Sequence, residues 1–393
     1  MSDSIVVVGM ARTPLGGMQG ALSDLTAADL GAQALKGALE RSGVAPDDVD
    51  ETFMGCVLPA GVGQAPARQA SIGAGIPLKS GATTISKVCG SGMKAVMLAM
   101  DVIKAGSANV VAAGGMESMT NAPYLLTKAR SGMRLGHGQV MDHMFLDGLE
   151  DAYDKGKLMG TFAEATATKY EFSREAQDSY TIESVTRAQN AIAEGKFKQE
   201  IVAVTIKTRK GEVVVDTDEQ PGNAKIDKIP QLKPAFAKDG TVTAANSSSI
   251  SDGAAAMILM SEAEAAKRGL KPIARLVAHR THSHEPAWFT TAPVGAITKV
   301  LEAAQWSVDD VDLFEINEAF AVVTMAAMDD LKLPHAKVNV NGGACALGHP
   351  IGASGARIMV TLMAALKDKG LKRGVASLCI GGGEATAIAL EMI

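Results

Sequence analysis

The 393-residue sequence predicts an α/β protein built from two similar halves, and two observations predict it. Strand-like apolar runs, IVVVGM, NVVAAGG, VDLFEIN, AKVNVNGG and VASLCIGGG, alternate with Ala- and Leu-rich helical stretches such as DLGAQALKGALERSG, which is the alternation of layered α/β folds. A repeat adds to this. SGMKAVMLAMDVIKAGSANVVAAGGMES from Ser91 and SGARIMVTLMAALKDKGLKRGVASLCIGGGEAT from Ser354 share one order: Ser-Gly helix start, amphipathic helix, turn, apolar strand and glycine cluster.

Taken along the chain, IVVVGMARTP opens as a buried strand and DLGAQALKGALERSG follows as its helix. Residues 120–250 break the alternation with charged helices (FSREAQDSYTIESVTRAQNAIAEGKF) and loops carrying Pro, Gly and Lys (DEQPGNAKIDKIPQLKPAF), so they read as a long insertion in the first half. The domain reading is residues 1–119 plus 251–270 as the N-terminal half, 120–250 as a loop domain, and 271–393 as the C-terminal half.

Composition narrows the function. Hydrophobic residues make up 47% of the chain, ample for large cores, and the net charge of −5 with both signs interspersed argues against a nucleic-acid surface or a polybasic membrane patch. No apolar segment approaches the roughly 18 residues that span a bilayer. The start shows no basic n-region, and Cys56, Cys89, Cys345 and Cys379 fit neither a metal spacing nor a disulfide framework, so a cytoplasmic location is expected. IVVVGMARTP lacks the second glycine of G-x-G-x-x-G and no Walker motif occurs, which excludes the common nucleotide cradles. His279, His282, His284 and Glu285 in HRTHSHEP have the residue types of a zinc site. They alternate in what reads as a loop and no second ligand group accompanies them, so a solvated loop is the expectation.

Four stretches carry chemistry. In SKVCGSGMKAV, Cys89 stands at a helix start, where unpaired N–H groups stabilise a thiolate. NGGACALGHPIGASG fixes His349 between glycine and proline ahead of a helix; LCIGGGEA places Cys379 at a strand end before three glycines open to an oxygen; FEINEAF ends a strand on Asn317. At strand ends and helix starts of a duplicated α/β fold, these segments can converge on one crevice.

With these motifs in order, the sequence resembles the thiolases, most closely those of the biosynthetic acetyl-CoA acetyltransferase type. ARTP, VLPAGVGQAPARQ, KVCGSGMKAV, AGGMESM, MGTFAE, LKPAF, TAANSSSISDGAAA, NEAF, GGACALGHPIGASG and CIGGG carry the likeness over essentially the whole chain. The resemblance implies two βαβαβαββ halves in a five-layered αβαβα body under a loop domain. It implies a homo-oligomer, with a tetramer expected because MRLGHGQVMDHM is similar to the family's tetramerisation loop.

Joining two acetyl-CoA molecules into acetoacetyl-CoA and CoA requires a nucleophile, a base for a methyl proton and donors for two oxyanions. The resemblance implies Cys89 as acyl acceptor, His349 as its base, and Cys379 as the base for the second substrate. A thiol in that last role is expected to ionise more readily than a free one. It further implies His349 with an Asn317-held water as one oxyanion hole, and the N–H groups of Cys89 and Gly381 as the other. Contacts to CoA are implied at Met159, Phe236, Ala244, Ser248, Ala319 and Phe320, with Phe289 lining the acyl pocket. CoA is then a substrate, and neither a metal nor another cofactor is expected.

The chain departs from the biosynthetic pattern at Leu158 (histidine in that pattern), at Ser249 (glycine) and at Thr290-Thr291-Ala292-Pro293 (Gly-Thr-Gly-Pro). An expected arginine near the CoA phosphates is missing, leaving Lys225 or Lys228 in its stead, and the tyrosine of potassium-activated relatives is absent, so no potassium requirement is expected. Cys56 and Cys345 read as inert packing. A broad-chain degradative 3-ketoacyl-CoA thiolase and an idle acyl-CoA- or lipid-binding protein are the alternatives; the four intact residues Cys89, Asn317, His349 and Cys379 argue against the second.

Overall fold

The computed structural model describes residues 4–209 and 211–393. The chain opens with Ile5–Arg12 (β1), buried at every position. Ala27–Ser42 (α1) follows, started by a reciprocal capping box between Thr26 and Asp29 and stopped by Gly43 at φ +71°. The first half continues as Glu51–Gly55 (β2), Pro66–Gly73 (α2), Gly81–Ile85 (β3), Ser91–Lys104 (α3) and Val110–Ser118 (β4). Within 120–250 the main helices are Met159–Lys169 (α4) and Arg174–Ala193 (α5), the latter capped by Ser173. Ser251–Ser261 (β5) then returns to the sheet.

The second half reads Ala274–Ser283 (β6), Ala292–Ala304 (α6), Leu313–Ile316 (β7), Ala321–Leu331 (α7), Ile351–Lys369 (α8), Arg373–Ile380 (β8) and Glu384–Met392 (β9). Its strands and those of the first half form one sheet in the order β7-β8-β9-β6-β1-β5-β4-β2-β3, with the short pair Gly16–Gly17 beside β5. The halves join where Ile5–Val7 of β1 pairs antiparallel with Ala274–Leu276 of β6.

Five layers result. Helices α1 and α2 cover the outer face of the first half, α6 and α7 that of the second, and α3 and α8 lie together between the two half-sheets. Helix α8 is buried without interruption from Ile351 to Leu366, as a predominantly apolar helix is, and its one buried charge there, Arg357, pairs with Glu315 at 3.1 Å. Its close approach to α3 depends on missing side chains: a Cβ at Gly355 would lie 2.5 Å from the Met93 nitrogen.

Three local expectations change. AKVNVNGG is no strand, so the second half lacks the third strand of βαβαβαββ and keeps a single bridge, Phe314 to Val338. Pro334, a short 3₁₀ turn at His335–Lys337 and Asn339 at φ +47° turn the chain before a strand can form. The histidines of HRTHSHEP belong to a strand: His279 and His282 lie in β6, paired with Ile388 and Ala385, and only His284 and Glu285 lie in the turn beyond. Helix α8 starts at Ile351, three residues ahead of the repeated Ser-Gly, because Pro350 caps it.

The Arg12 side chain of ARTP is wholly buried. It holds Asp218 with two bonds of 2.7 and 2.8 Å and Glu200 with one of 3.0 Å, and its guanidinium lies 5.0 Å from the Phe197 ring centre. The arginine therefore ties the inserted segment to the end of β1.

Candidate active site

A tight turn between β3 and α3 presents Cys89. Gly90 is the helix cap, and the Ser91 hydroxyl accepts from the Lys87 N–H at 2.8 Å and donates to the Val88 carbonyl at 2.6 Å. Val88 stands at φ +45°, a conformation that a β-branched residue adopts only when its surroundings force it. A side chain at Gly90 would collide with Ile380 of β8, its Cβ only 2.3 Å from Cδ1. The nucleophile turn is thus pressed against the strand that carries Cys379.

Cys379 is buried near the end of β8, opposite Ala385, and Gly382 and Gly383 follow at φ +93° and +86°. Asn317 ends β7, its N–H bonded to the Ser377 carbonyl at 3.0 Å, so it is anchored to the same strand. His349 enters from the loop before α8, where its N–H donates to the Ser249 carbonyl at 3.1 Å. Its Nδ1 lies 2.6 Å from the Ser354 hydroxyl; its Nε2 is buried without a protein partner, as is Asn317 Oδ1.

One largely apolar cavity of about 380 Å³ collects these groups: Cys89, His349, Cys379 and Gly381 line it. The wall of that cavity also includes every residue expected to meet CoA, namely Met159, Phe236, Ala244, Ser248, Ala319 and Phe320, together with Phe289. Asn317 lies behind His349, its Nδ2 3.5 Å from Nδ1. A second cavity shares Ala244, Ser247 and Ser249 with the first and holds Lys225, Lys228 and Cys345 in its wall. The two lysines therefore line a cavity adjacent to the first, with Ser249 in the wall of both.

Burial governs the charges. It pushes the Cys89 thiol up to about 11, against the opposing pull of the Gly381 N–H and its own N–H, and it pushes Cys379 up as well, reinforced by the nearby Cys89. The expectations of a lowered thiol at the helix start and of an easily ionised Cys379 are both corrected: without a bound charge to stabilise it, a thiolate in an apolar pocket loses more to desolvation than N–H groups return. His349 moves the other way. Burial first, and the buried Arg357 second, lower it to about 3, so the imidazole is neutral.

Several contributors carry no signal in the sequence. Phe145, Leu149 and Ile351 complete the apolar wall, and only the i, i+4 spacing of the first two hints at a shared face. Glu117, fully buried and raised to about 7 chiefly by desolvation, accepts from the N–H groups of Val57, Leu58 and Gly352 at 2.9, 3.2 and 2.9 Å. It thereby clasps the start of α8 to the first half. Cys56 donates to the same carboxylate at 3.5 Å, and Cys345 packs against the Glu318 carbonyl at 3.8 Å. Among the described residues no group of three or more His, Cys, Asp and Glu is arranged to hold a metal, and no helix is long and apolar enough to cross a membrane.

Comparison with known proteins agrees along the whole chain. Residues 5–263 match the family model "Thiolase, N-terminal domain" and residues 270–392 match "Thiolase, C-terminal domain". The acetyl-CoA acetyltransferase of Allochromatium vinosum is 47% identical over 393 residues, covering both chains completely. That of Cupriavidus necator is 49% identical, also with complete coverage of both. The crystal structure of the Bacillus anthracis acetyl-CoA acetyltransferase superposes with a TM-score of 0.97 at 42% identity, covering 100% of this chain and 99% of that one.

Proposed function

The chain belongs to the thiolase family, and from that membership we propose that it is an acyltransferase that condenses two acetyl-CoA into acetoacetyl-CoA and CoA and runs the reverse thiolysis. The single observation that carries the site assignment is the convergence of Cys89, His349, Cys379 and Gly381 on one apolar cavity.

The Cys89 sulfur attacks the thioester carbonyl while its proton passes to His349 Nε2; the C–S bond to CoA breaks and that proton leaves on the CoA sulfur. Cys379 acts in the second half-reaction as the thiolate, the form its burial disfavours, having released its own proton to solvent; it takes the α-proton of a second acetyl-CoA and becomes a thiol. The resulting carbon attacks the acyl group on Cys89, and Cys379 returns the proton to the Cys89 sulfur. Oxygen charge in the enolate falls to His349 Nε2–H and a water on Asn317, and charge in the tetrahedral species to the N–H groups of Cys89 and Gly381. Each such donor is typically worth about 3 to 4 kcal/mol of barrier. Thioester chemistry supplies both the leaving group and the acidified methyl, so the reaction needs no metal.

Lys225 and Lys228 in the adjacent cavity suit the CoA phosphates. A homo-tetramer is the assembly we infer, supported by exposed apolar side chains within residues 124–140: Tyr124, Leu126, Leu135 and Val140.

Neutral His349 sets the pH dependence. A base at the ordinary histidine value loses about tenfold per unit below pH 6.5, but a group lowered to about 3 stays unprotonated well below that. Acetylation of Cys89 in a single turnover is expected to show no decline assignable to histidine between pH 7.5 and 5.5. A tenfold-per-unit fall beginning at 6.5 would contradict the buried, neutral imidazole.

Thiolysis of acetoacetyl-CoA by CoA, followed by loss of the enolate absorbance, tests the activity, and the same assay with C4 to C12 substrates tests the pocket. Each added CH₂ gains about 0.8 kcal/mol when buried, whereas displacing a packed side chain costs about 1 to 3 kcal/mol. Phe289 is packed: it is 3% exposed and meets Phe162 edge-on at 6.3 Å. Short chains are therefore expected to be preferred, with C8 and longer poor, and Phe289→Ala to raise C6 to C8 rates selectively. A kcat/KM greater for C8 than for C4 would transfer the assignment to the broad-chain degradative class.

A further inference from the structure

The proposed mechanism, on which this inference rests, asks two opposite things of one atom: His349 Nε2 accepts a proton from Cys89 in the first half-reaction and donates to an enolate oxygen in the second. A neutral imidazole does the first with its proton on Nδ1 and the second with its proton on Nε2. What faces Nδ1 therefore decides whether both forms are available.

The Ser354 hydroxyl faces it, at 2.6 Å. Ser354 is fully buried on the first turn of α8, and its Oγ also lies 2.9 Å from the Pro350 carbonyl. A hydroxyl is both donor and acceptor. Donating to Pro350, it accepts Nδ1–H and leaves Nε2 as a bare lone pair; rotated, it donates to Nδ1 and leaves the proton on Nε2. A carboxylate at this place would enforce the first form only, and a backbone N–H the second only. The Asn317 amide, 3.5 Å from Nδ1, is too distant to compete. The duplicated chain uses the equivalent serine likewise, since Ser91 Oγ both accepts and donates within the Cys89 turn.

We propose that Ser354 is a positioning residue that acts through His349, its hydroxyl accepting from Nδ1 while Cys89 is acylated and donating to Nδ1 while the second thioester is enolised. The change of form moves one proton from Nδ1 to Nε2 through water as CoA is exchanged for the second acetyl-CoA, without change in net charge.

Ser354→Ala, Ser354→Thr and His349→Ala, singly and with the two alanines combined, test this. Ser354→Ala is expected to slow single-turnover acetylation and the subsequent condensation each by roughly 100-fold, within the range for a misprotonated general base. Ser354→Thr, which keeps the hydroxyl, is expected to recover most of the loss. Added to His349→Ala, the serine substitution is expected to cost nothing further. Solid-state ¹⁵N NMR of histidine-labelled protein is expected to show the His349 tautomer ratio changed in Ser354→Ala. Should circular dichroism find Ser354→Ala unfolded, Ser354→Cys, with its weakly accepting sulfur, enters the same comparison.

Wild-type rates in the serine variant beside a dead His349→Ala would overturn the proposal and leave the mechanism standing. So would an undiminished serine effect in the His349→Ala background, which marks mere structural damage. Normal acetylation by His349→Ala would instead bring down the mechanism beneath it.

Discussion

Protein carrying Cys379→Ser is expected to accept radiolabel from acetyl-CoA on Cys89 at close to the wild-type rate, yet to lose condensation and thiolysis by about 10³-fold or more, the upper range for removal of a general base. Serine keeps the shape of the side chain but its hydroxyl does not ionise near neutral pH. Cys89→Ser is expected to fail at the earlier step, with no label retained. The two sulfurs are neighbours in one cavity, so position alone does not divide their work. What divides it is the setting: Cys89 lies on the helix turn beside the Gly381 N–H, whereas Cys379 reaches the cavity from near the end of β8. Single-turnover acetylation followed by peptide mapping reads both variants. Equal acylation defects, or label on Cys56 or Cys345, would reverse the assignment.

The largest effect on stability is expected at Arg12, far from the chemistry. Removing one member of a buried ionic cluster leaves the others unpaired in a dry interior, typically at about 3 to 5 kcal/mol. Arg12→Ala strips the partner from both Asp218 and Glu200, each fully buried at the contact, and opens a gap against Phe197. Arg12→Lys keeps the charge but not the two-pronged grip on Asp218, so it is expected to fall in between. Guanidinium unfolding midpoints of the three proteins measure this. A loss below about 1 kcal/mol for the alanine variant, the scale of a surface pair, would show the cluster to be immaterial.

Much of this was readable beforehand because its causes are local. Alternating apolar runs and Ala- and Leu-rich stretches marked strands and helices, and the Ser-Gly repeat marked the duplication. The residues of the site were legible as motifs because cysteine, histidine and asparagine bring their chemistry with them. AKVNVNGG misled because Asn339 takes a left-handed conformation that no alternation of apolar residues reveals, and HRTHSHEP because its polar side chains hide a strand paired with β9. The raised thiols were illegible for a different reason. They follow from how much protein closes over Cys89 and Cys379, which only the assembled layers determine. Glu117 and Ser354 likewise show no purpose until α8 is docked.

Gene duplication ordinarily yields two copies of whatever the ancestor had, and this molecule contains two places that the repeat relates. At one, Cys89 ahead of α3 meets the glycine bend after β8. At the other, Gly352, two residues before Ser354 as Cys89 is two before Ser91, meets the end of β4, and there Glu117 takes its N–H in a bond of 2.9 Å. Nothing enters that second place: a methyl at Gly115 would come within 2.0 Å of the Gly352 carbonyl oxygen, and one at Gly352 within 2.7 Å of the Met116 oxygen. The copies have specialised, one into a reactive mouth and its mirror into a weld. A cysteine placed at Gly352 is therefore expected to break the joint that holds His349 in register with Cys89.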